Sequence, residues 1–508
     1  MLFVALIIAL ACLIAVWVVV FGVLARPQCS LYAYLALWLI VPKALRLTYL
    51  TGGRYDFPEG ITVFNVLEAV AALGIVVAMV THRRTPDRSA EARAVRRLSL
   101  LLLVAGVASL LVSLGLFGAF FPSSVLEMSS FLAATVKAQY RILPVLSMLY
   151  AAIFVFGCTR FIRSVKQAEP FFWLLALSGV ELALERIVFV NLNLFPELQR
   201  YAIHDSGRFN SLIFTGYDFV GAFAILSVCA SLYLALRGRA IGWVTFALAW
   251  IPIIAGYQRA VLLGALAAVV FVLCMLTSGR TLVLLISGFV AVVGTVLVTN
   301  WDHSLFNTFG HSLGGRIRTD YFGAENAVER LALWKRSLDV FGFLFPAGTG
   351  PNAAQFAMNY PIPDIHSGLS SGLANEIYAS LVNGTRTTNP HNVLLEFLAD
   401  FGALGIALIA AFGLVVGRLF VRRLRADDVS DEAKRRARIA QACAFGMLVG
   451  IGVHGLFEAT ELPYFVYLLP VCVVGICGTT ATRPRPVEPP ARHSARHHVR
   501  RRRVSSYV

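Results

Sequence analysis

LLLVAGVASLLVSLGLFGAFF, residues 101–121, is an unbroken apolar run of the length a helix needs to cross a bilayer, roughly 20 residues. Runs of this kind recur along the chain. A segment held in lipid has no water to satisfy its backbone, so it is helical or part of a closed barrel. Barrel strands alternate apolar and polar residues, and these runs do not. The sequence therefore predicts an all-α, polytopic integral membrane protein. Composition agrees: 58% of residues are hydrophobic, 14% are charged and the mean hydropathy is +0.74, against about 45–50% apolar and about 25% charged in soluble domains.

Spans are expected near residues 3–25, 31–48, 61–80, 99–120, 141–158, 171–190, 212–235, 241–257, 261–277, 281–299, 393–417, 440–457 and 463–480. That is 13, or 12 if the second, interrupted by Pro42, Lys43 and Arg46, is only partial. The first lacks a basic leader and a small-residue cleavage site, and is expected to be a retained helix. Residues 1–299 then hold transmembrane helices 1 to 10, 300–391 form one large loop, 392–482 hold the C-terminal transmembrane helices, and 483–508 form a disordered basic tail.

A formal charge of +16 raises nucleic acid as a partner. Its distribution argues against that. Arg83, Arg84, Arg88, Arg93, Arg96 and Arg97 share one inter-span loop. Arg160, Arg163 and Lys166 share another, Arg237 and Arg239 a third, and Arg418, Arg422, Arg423, Arg425, Lys434, Arg435, Arg436 and Arg438 a fourth. Basic loops beside spans mark the cytoplasmic side and attract anionic membrane lipid. Alternation then puts the loop after the tenth span on the far side. It holds six Lys or Arg and seven Asp or Glu, so it is nearly neutral. Within it Val328, Leu331, Trp334, Leu338, Phe341 and Phe345 recur at helical spacing. They predict an amphipathic helix that lies on the membrane or caps a cavity. None of the eight cysteines falls in this loop and none forms a CxxC pair, so neither structural disulfides nor thiolate metal sites are expected.

No lysine follows a glycine anywhere, and HExxH and DxD are absent. The patterns of ATP-driven pumps, zinc proteases and metal-dependent sugar-nucleotide transferases are thus missing, and no metal or cofactor is expected. A transporter of lipid-linked glycans, the rival from another class, should show internal repeats and paired broken helices. No repeat is visible, and a loop of this size is surplus to that role.

Three stretches remain. Arg259 opens a span in GYQRAVLLGALAAVV. Arg330 and Trp334 stand in R-x-x-x-W, followed by Pro346, Gly348 and Gly350 in P-x-G-x-G. His391 and Asn392 precede Gly402 and Gly405 in H-N-x9-G-x-x-G. In this order, with this loop between them, they resemble the O-antigen ligase and O-antigen polymerase superfamily of the bacterial envelope. The motifs fall within roughly residues 200–420, and the rest of the chain is similar by its row of spans.

The resemblance implies an all-helical, GT-C-like, metal-independent inverting glycosyltransferase of the bacterial inner membrane, with its active site and large loop facing the periplasm. Its donor is a glycan on undecaprenyl diphosphate. Its acceptor is another glycan (a polymerase), lipid A core (a ligase) or protein. A chain-length regulator is a further implied partner, and nucleic acid is not one. The lack of nucleotide motifs fits a donor that carries its own leaving group. A histidine suits the acceptor hydroxyl's proton near neutral pH, so His391 is the expected base. Arginines grip diphosphate bidentately, so Arg259, Arg330 and Arg208 are expected on the leaving group.

Supporting residues follow. Asn392 orients His391, and Trp334 belongs to the loop motif. Asp218 is an acid inside a span. Glu396 and Asp400, four apart on one helical face, are expected to meet an aqueous cavity or internal donors. Gly402 and Gly405 are expected to allow close helix packing. His454 and Glu458, also four apart, read as a structural pair.

Overall fold

The computed structural model of the chain describes residues 26–41, 62–82, 86–87, 89–116, 122–136, 138–194, 211, 217–255, 259–277, 324–362, 372–383, 390–424, 432–458 and 464–482. The spans expected at 3–25 and 281–299, Arg208 and the tail 483–508 lie outside them, as do the side chains of Arg259 and Asp218. The described residues form helices and no strand. In chain order these are α1 (Gln28–Ile40), α2 (Val63–Thr81), α3 (Ala90–Ser113), α4 (Ser123–Thr135), α5 (Ala138–Phe161) and α6 (Val165–Glu185). A π-helical turn, Arg186–Asn191, extends α6. Then come α7 (Tyr217–Leu236), α8 (Ala240–Ala255), α9 (Arg259–Leu276), α10 (Ala324–Leu344), α11 (Ala354–Ala357), α12 (Gly372–Val382), α13 (Val393–Phe401), α14 (Ala403–Leu424), α15 (Glu432–Gly455) and α16 (Tyr464–Thr482).

Among the described residues five helices are long and apolar enough to cross a membrane: α2, α3, α5, α14 and α15. The shorter apolar helices α1, α7, α8, α9 and α16 pack among them. The chain is a multi-pass, all-helical membrane protein. Local sequence sets the helix starts. Thr62 and Asn65 form a reciprocal capping box on α2, and Ser89 caps α3, each satisfying backbone donors that the first turn leaves open. Inside the bundle Glu68 is buried yet accepts from Tyr34 Oη at 2.7 Å and from Trp38 Nε1 at 3.2 Å, so α1 neutralises the cost of an acid on a span.

The basic loops gather at one end of the bundle. There Arg422 pairs with Glu91, Arg163 lies 4.0 Å from Asp87, and Arg96 donates to the Asp87 carbonyl at 2.9 Å. The opposite end, here called outer, carries α4 and α10–α12. Helix α9 packs most extensively against α15, antiparallel, because Gly264 and Gly450 lack side chains where the two backbones meet. One turn further out, the start of α9 at Arg259 comes level with His454 near the end of α15.

A second apolar core lies at the outer end. Val125, Met128 and Leu132 of α4 meet Leu333, Val340 and Leu344 of α10, together with Ala357, Met358 and Leu381. Arg336 locks this cap. It is fully buried, donates from Nε to the Met358 carbonyl at 2.8 Å and from Nη2 to the Tyr360 carbonyl, and lies over the Tyr378 ring. The predicted amphipathic helix exists as α10, but the cap buries Ala332, Leu333, Arg336, Val340 and Leu344. The expected stripe of Leu331, Leu338 and Phe345 stays exposed. The helix is apolar on two faces, and the tighter-packing set went inside.

The apolar segment expected at 393–417 is broken. Gly402, at φ 58, ends α13 and separates it from the span α14. A Cβ there would overlap the Pro346 carbonyl oxygen and Ala347, so glycine is required both by the left-handed backbone and by the approach.

Candidate functional site

Helix α13 lies across the outer end, from the end of α15 to the α3–α14 corner. Its start is clamped by Asn392, whose Oδ1 accepts from the N–H of Leu394 at 3.0 Å and of Leu395 at 3.2 Å. Its Nδ2 donates to the Leu456 carbonyl at 3.0 Å. One amide thus caps one helix and ties it to the turn that follows α15. Gly455 admits Val393 at the same junction.

This clamp aims His391. Its backbone is at φ 46, a conformation that few non-glycine residues adopt and one that gathers at functional sites. His391 Nδ1 lies 2.8 Å from Glu458 Oε2. Glu458 Oε1 accepts from Arg330 Nη2 at 2.9 Å, and Arg330 Nη1 donates to the Phe457 carbonyl. Histidine, glutamate and arginine therefore come from three elements: the entry to α13, the exit of α15, and α10 of the cap. Burial would push the Glu458 carboxyl up. The hydrogen bond from His391 and the positive charge of Arg330 outweigh it and hold the group below the usual carboxylate range. An ionised Glu458 accepts only, so it fixes the proton of His391 on Nδ1. With its proton on Nδ1, the neutral ring carries its lone pair on Nε2.

The far end of α13 is held by Asp400, which is buried. Its Oδ1 accepts from Ala354 N at 2.9 Å and Thr349 Oγ1 at 3.1 Å, and its Oδ2 from Asn352 N at 2.9 Å. Its carbonyl accepts from Gly350 N at 3.0 Å and Ser109 Oγ at 2.6 Å. The P-x-G-x-G turn is thereby wedged between α13 and α3. Side chains at Gly348 and Gly350 would collide with Asp400 and Ser113. Burial pushes the Asp400 carboxyl up to about 7, against the pull of those donors.

The sequence-derived residues are thus brought together in part. His391, Asn392 and Arg330 meet at one end of α13. Asp400, Gly402 and the turn meet at the other, and Asp400 finds internal donors rather than a wet cavity. Glu396 sits in the first turn of α13, half-buried, where an acid favours the helix dipole. Gly405 lets α14 fold back against Phe397. Trp334 is half-buried beside Arg330 on α10, and among the described residues its Nε1 has no hydrogen-bond partner. Arg259 opens α9 at the same end of the bundle, and Asp218 lies in the first turn of α7.

His454 and Glu458 are neighbours as expected, with Glu458 N donating to the His454 carbonyl at 2.9 Å and the two side chains interacting electrostatically, but no side-chain hydrogen bond joins them. Among the described residues both ring nitrogens of His454 are buried without a hydrogen-bond partner, and the Glu458 carboxylate is bonded to His391 and Arg330. The backbone turn persists from His454 to Glu458 past the end of α15 at Gly455, so the spacing holds, but it could not show that the carboxylate turns to His391 and Arg330. The missed signal was positional: an acid one turn past a span, at the same end as His391.

Below the clamp lies an apolar cavity of about 500 Å³, lined by Leu102, Val393, Leu394, Phe397, Leu456 and Tyr464 among others. Val393 and Leu394 follow Asn392 directly, and Leu456 precedes Phe457, so the cavity wall is continuous with the histidine cluster. Among the described residues no group of three His, Cys, Asp or Glu is arranged to hold a metal ion.

Residues 244–410 match a family model described as O-antigen ligase. The match contains Arg259, Arg330, Trp334, the P-x-G-x-G turn and the H-N-x9-G-x-x-G segment, and leaves Glu458 outside. No curated protein matches the chain.

Proposed function

We propose that this chain, whose residues 244–410 match the O-antigen ligase family model, polymerises glycan repeat units carried on undecaprenyl diphosphate at the outer face of the inner membrane. The observation that carries the reading is the His391–Glu458–Arg330 cluster at the outer mouth of an apolar cavity. His391 Nε2 accepts the proton of the acceptor hydroxyl. That oxygen attacks the anomeric carbon of the donor sugar, and the bond from this carbon to the diphosphate oxygen breaks. A single in-line displacement inverts the anomeric centre. The lipid diphosphate leaves with the electron pair, and Arg259 and Arg208 are the proposed cations for its developing charge. Arg330 is proposed to share that role while fixing Glu458. The apolar cavity suits the hydrocarbon of the donor. No nucleotide or metal is required by this chemistry.

A glycan gel of a deletion strain tests the reading. Loss of long chains with single repeats retained on the acceptor supports the polymerase. The second reading, suggested by the name of the matching family model, is transfer of finished glycan to lipid A core. It would leave lipid-linked polymer accumulating and the core bare. Complementation with His391→Ala should restore neither pattern at normal protein level. Full glycan length and amount with this variant would overturn the assignment of the base.

A further inference from the structure

The cap leaves a row of large apolar side chains uncovered. Leu331 is 53% exposed, Leu338 46% and Phe345 49%. They stand seven residues apart on one edge of α10, with half-buried Trp334 and Phe341 beside them. The opposite face is the one packed into the cap. A contiguous apolar row of this size on a folded surface marks a contact with another apolar phase.

The course of α10 says which phase. Near its start, Arg330 is bonded to Phe457 and Glu458, just past the outer end of the span α15. After its end, the Pro346 carbonyl accepts from Ala403 N at 2.9 Å, and Ala403 is the first residue of the span α14. The helix therefore runs from the outer end of one span to the outer end of another, covering about 22 Å at 1.5 Å per residue. It follows the boundary of the membrane rather than rising from it. At its last turn the row meets lipid-facing surface. Phe345 adjoins Pro346, and one turn below Ala403 comes Ile406, 47% exposed, on a span whose Leu414 is 74% exposed. The apolar face of α14 and the row on α10 are continuous at this corner.

We infer that α10 lies lengthwise in the outer interface of the bilayer, with Leu331, Leu338 and Phe345 immersed and the cap thereby anchored on the lipid surface. An exposed apolar edge of this kind binds an interface by sinking into the boundary between headgroups and acyl chains. Trp334 is the residue type that interfaces favour. The inference rests on the chain being a multi-pass membrane protein and not on glycan transfer. It makes the depth of Arg330 a property of the membrane surface as well as of the protein.

The test uses the full-length protein in phospholipid nanodiscs, with p-benzoylphenylalanine in place of Leu331, Leu338, Phe345, Leu414 or Glu376, one at a time. After irradiation, intact-mass analysis reads the addition of one phospholipid. Leu331, Leu338 and Phe345 should give lipid adducts at a yield comparable to Leu414 on the span, and Glu376 on α12 should give few. Adducts at Leu414 but at none of the three overturn the inference. Adducts at Phe345 alone confine the contact to the rim of α14 and also overturn it. Each position is read on protein that elutes as wild type, so failure of one variant to fold leaves the others to decide. Since the readout is a lipid adduct, failure leaves the proposed glycan transfer untouched.

Discussion

Glu458→Gln keeps the shape of the side chain and removes one acceptor, so it probes how His391 is held. Glu458 Oε2 faces His391 Nδ1 at 2.8 Å, and Oε1 faces Arg330 Nη2 at 2.9 Å. Both neighbours donate. A glutamine offers one oxygen and one amide nitrogen. If its oxygen stays with Arg330, the amide hydrogens point at Nδ1, and the ring proton must move to Nε2. The nitrogen meant to accept the hydroxyl proton is then occupied. If the oxygen turns to His391, the amide meets the guanidinium, donor against donor. A hydrogen bond to a charged group is worth about 1.5–3 kcal/mol, and each 1.36 kcal/mol is tenfold in rate. One lost bond alone predicts a fall of about 10–100-fold. A ring trapped in the wrong tautomer forfeits its base contribution, about 10²–10⁴-fold. The expected result is a fall in transfer rate of about 10²–10⁴-fold with donor affinity little changed. The assay is single-turnover transfer from a lipid-diphosphate-linked donor in nanodiscs, followed on gels, with a melting curve for each variant. A rate within about threefold of wild type, in a variant of unaltered melting temperature, would refute both the tautomer argument and the general-base role built on it.

Gly402→Ala should lower folded yield sharply, because the new Cβ would strike the backbone of Pro346 and Ala347 at a φ of 58. A yield equal to wild type by size exclusion would show that the turn has more room than its geometry implies. The Asp400 carboxyl, raised from 3.8 to about 7 by burial, holds a proton in the folded chain over a range where the unfolded chain has released it. That contribution is present in acid and is lost as pH rises through the folded value. The melting temperature should therefore fall between about pH 4 and about pH 7 and level off above that. Asp400→Asn, which does not titrate, should flatten the slope, and an unchanged slope would place the titrating group elsewhere. Transfer by purified protein should survive treatment with chelator, and its loss would reveal a metal requirement that the site residues do not suggest.

What could be read in advance depended on how local the cause was. The spans rest on composition over some twenty residues, and the motif residues lie within short windows, so both were legible. Asn392 was legible as a neighbour of His391, but its reach to the Leu456 carbonyl needed the end of α15 beside it. Glu458 was named through its i, i+4 spacing from His454, a rule that sees neighbours in sequence and not partners far along the chain. Its carboxylate bonds to residues 67 and 128 positions away. The helix of α10 shows the same limit from the other side. Periodicity finds an apolar edge but cannot say whether protein or lipid will cover it. Leu331 and Leu333 are equally apolar, two residues apart, and point in different directions. The cap took the face where Ala332 and Ser337 allow close packing and Arg336 reaches three partners. The bulkier edge was left for whatever lies at the outer end of the spans. In a chain whose neighbouring helix α14 faces lipid along most of its length, that neighbour is the bilayer. The apolar edge of α10 then follows from the same transfer energetics that wrote the spans.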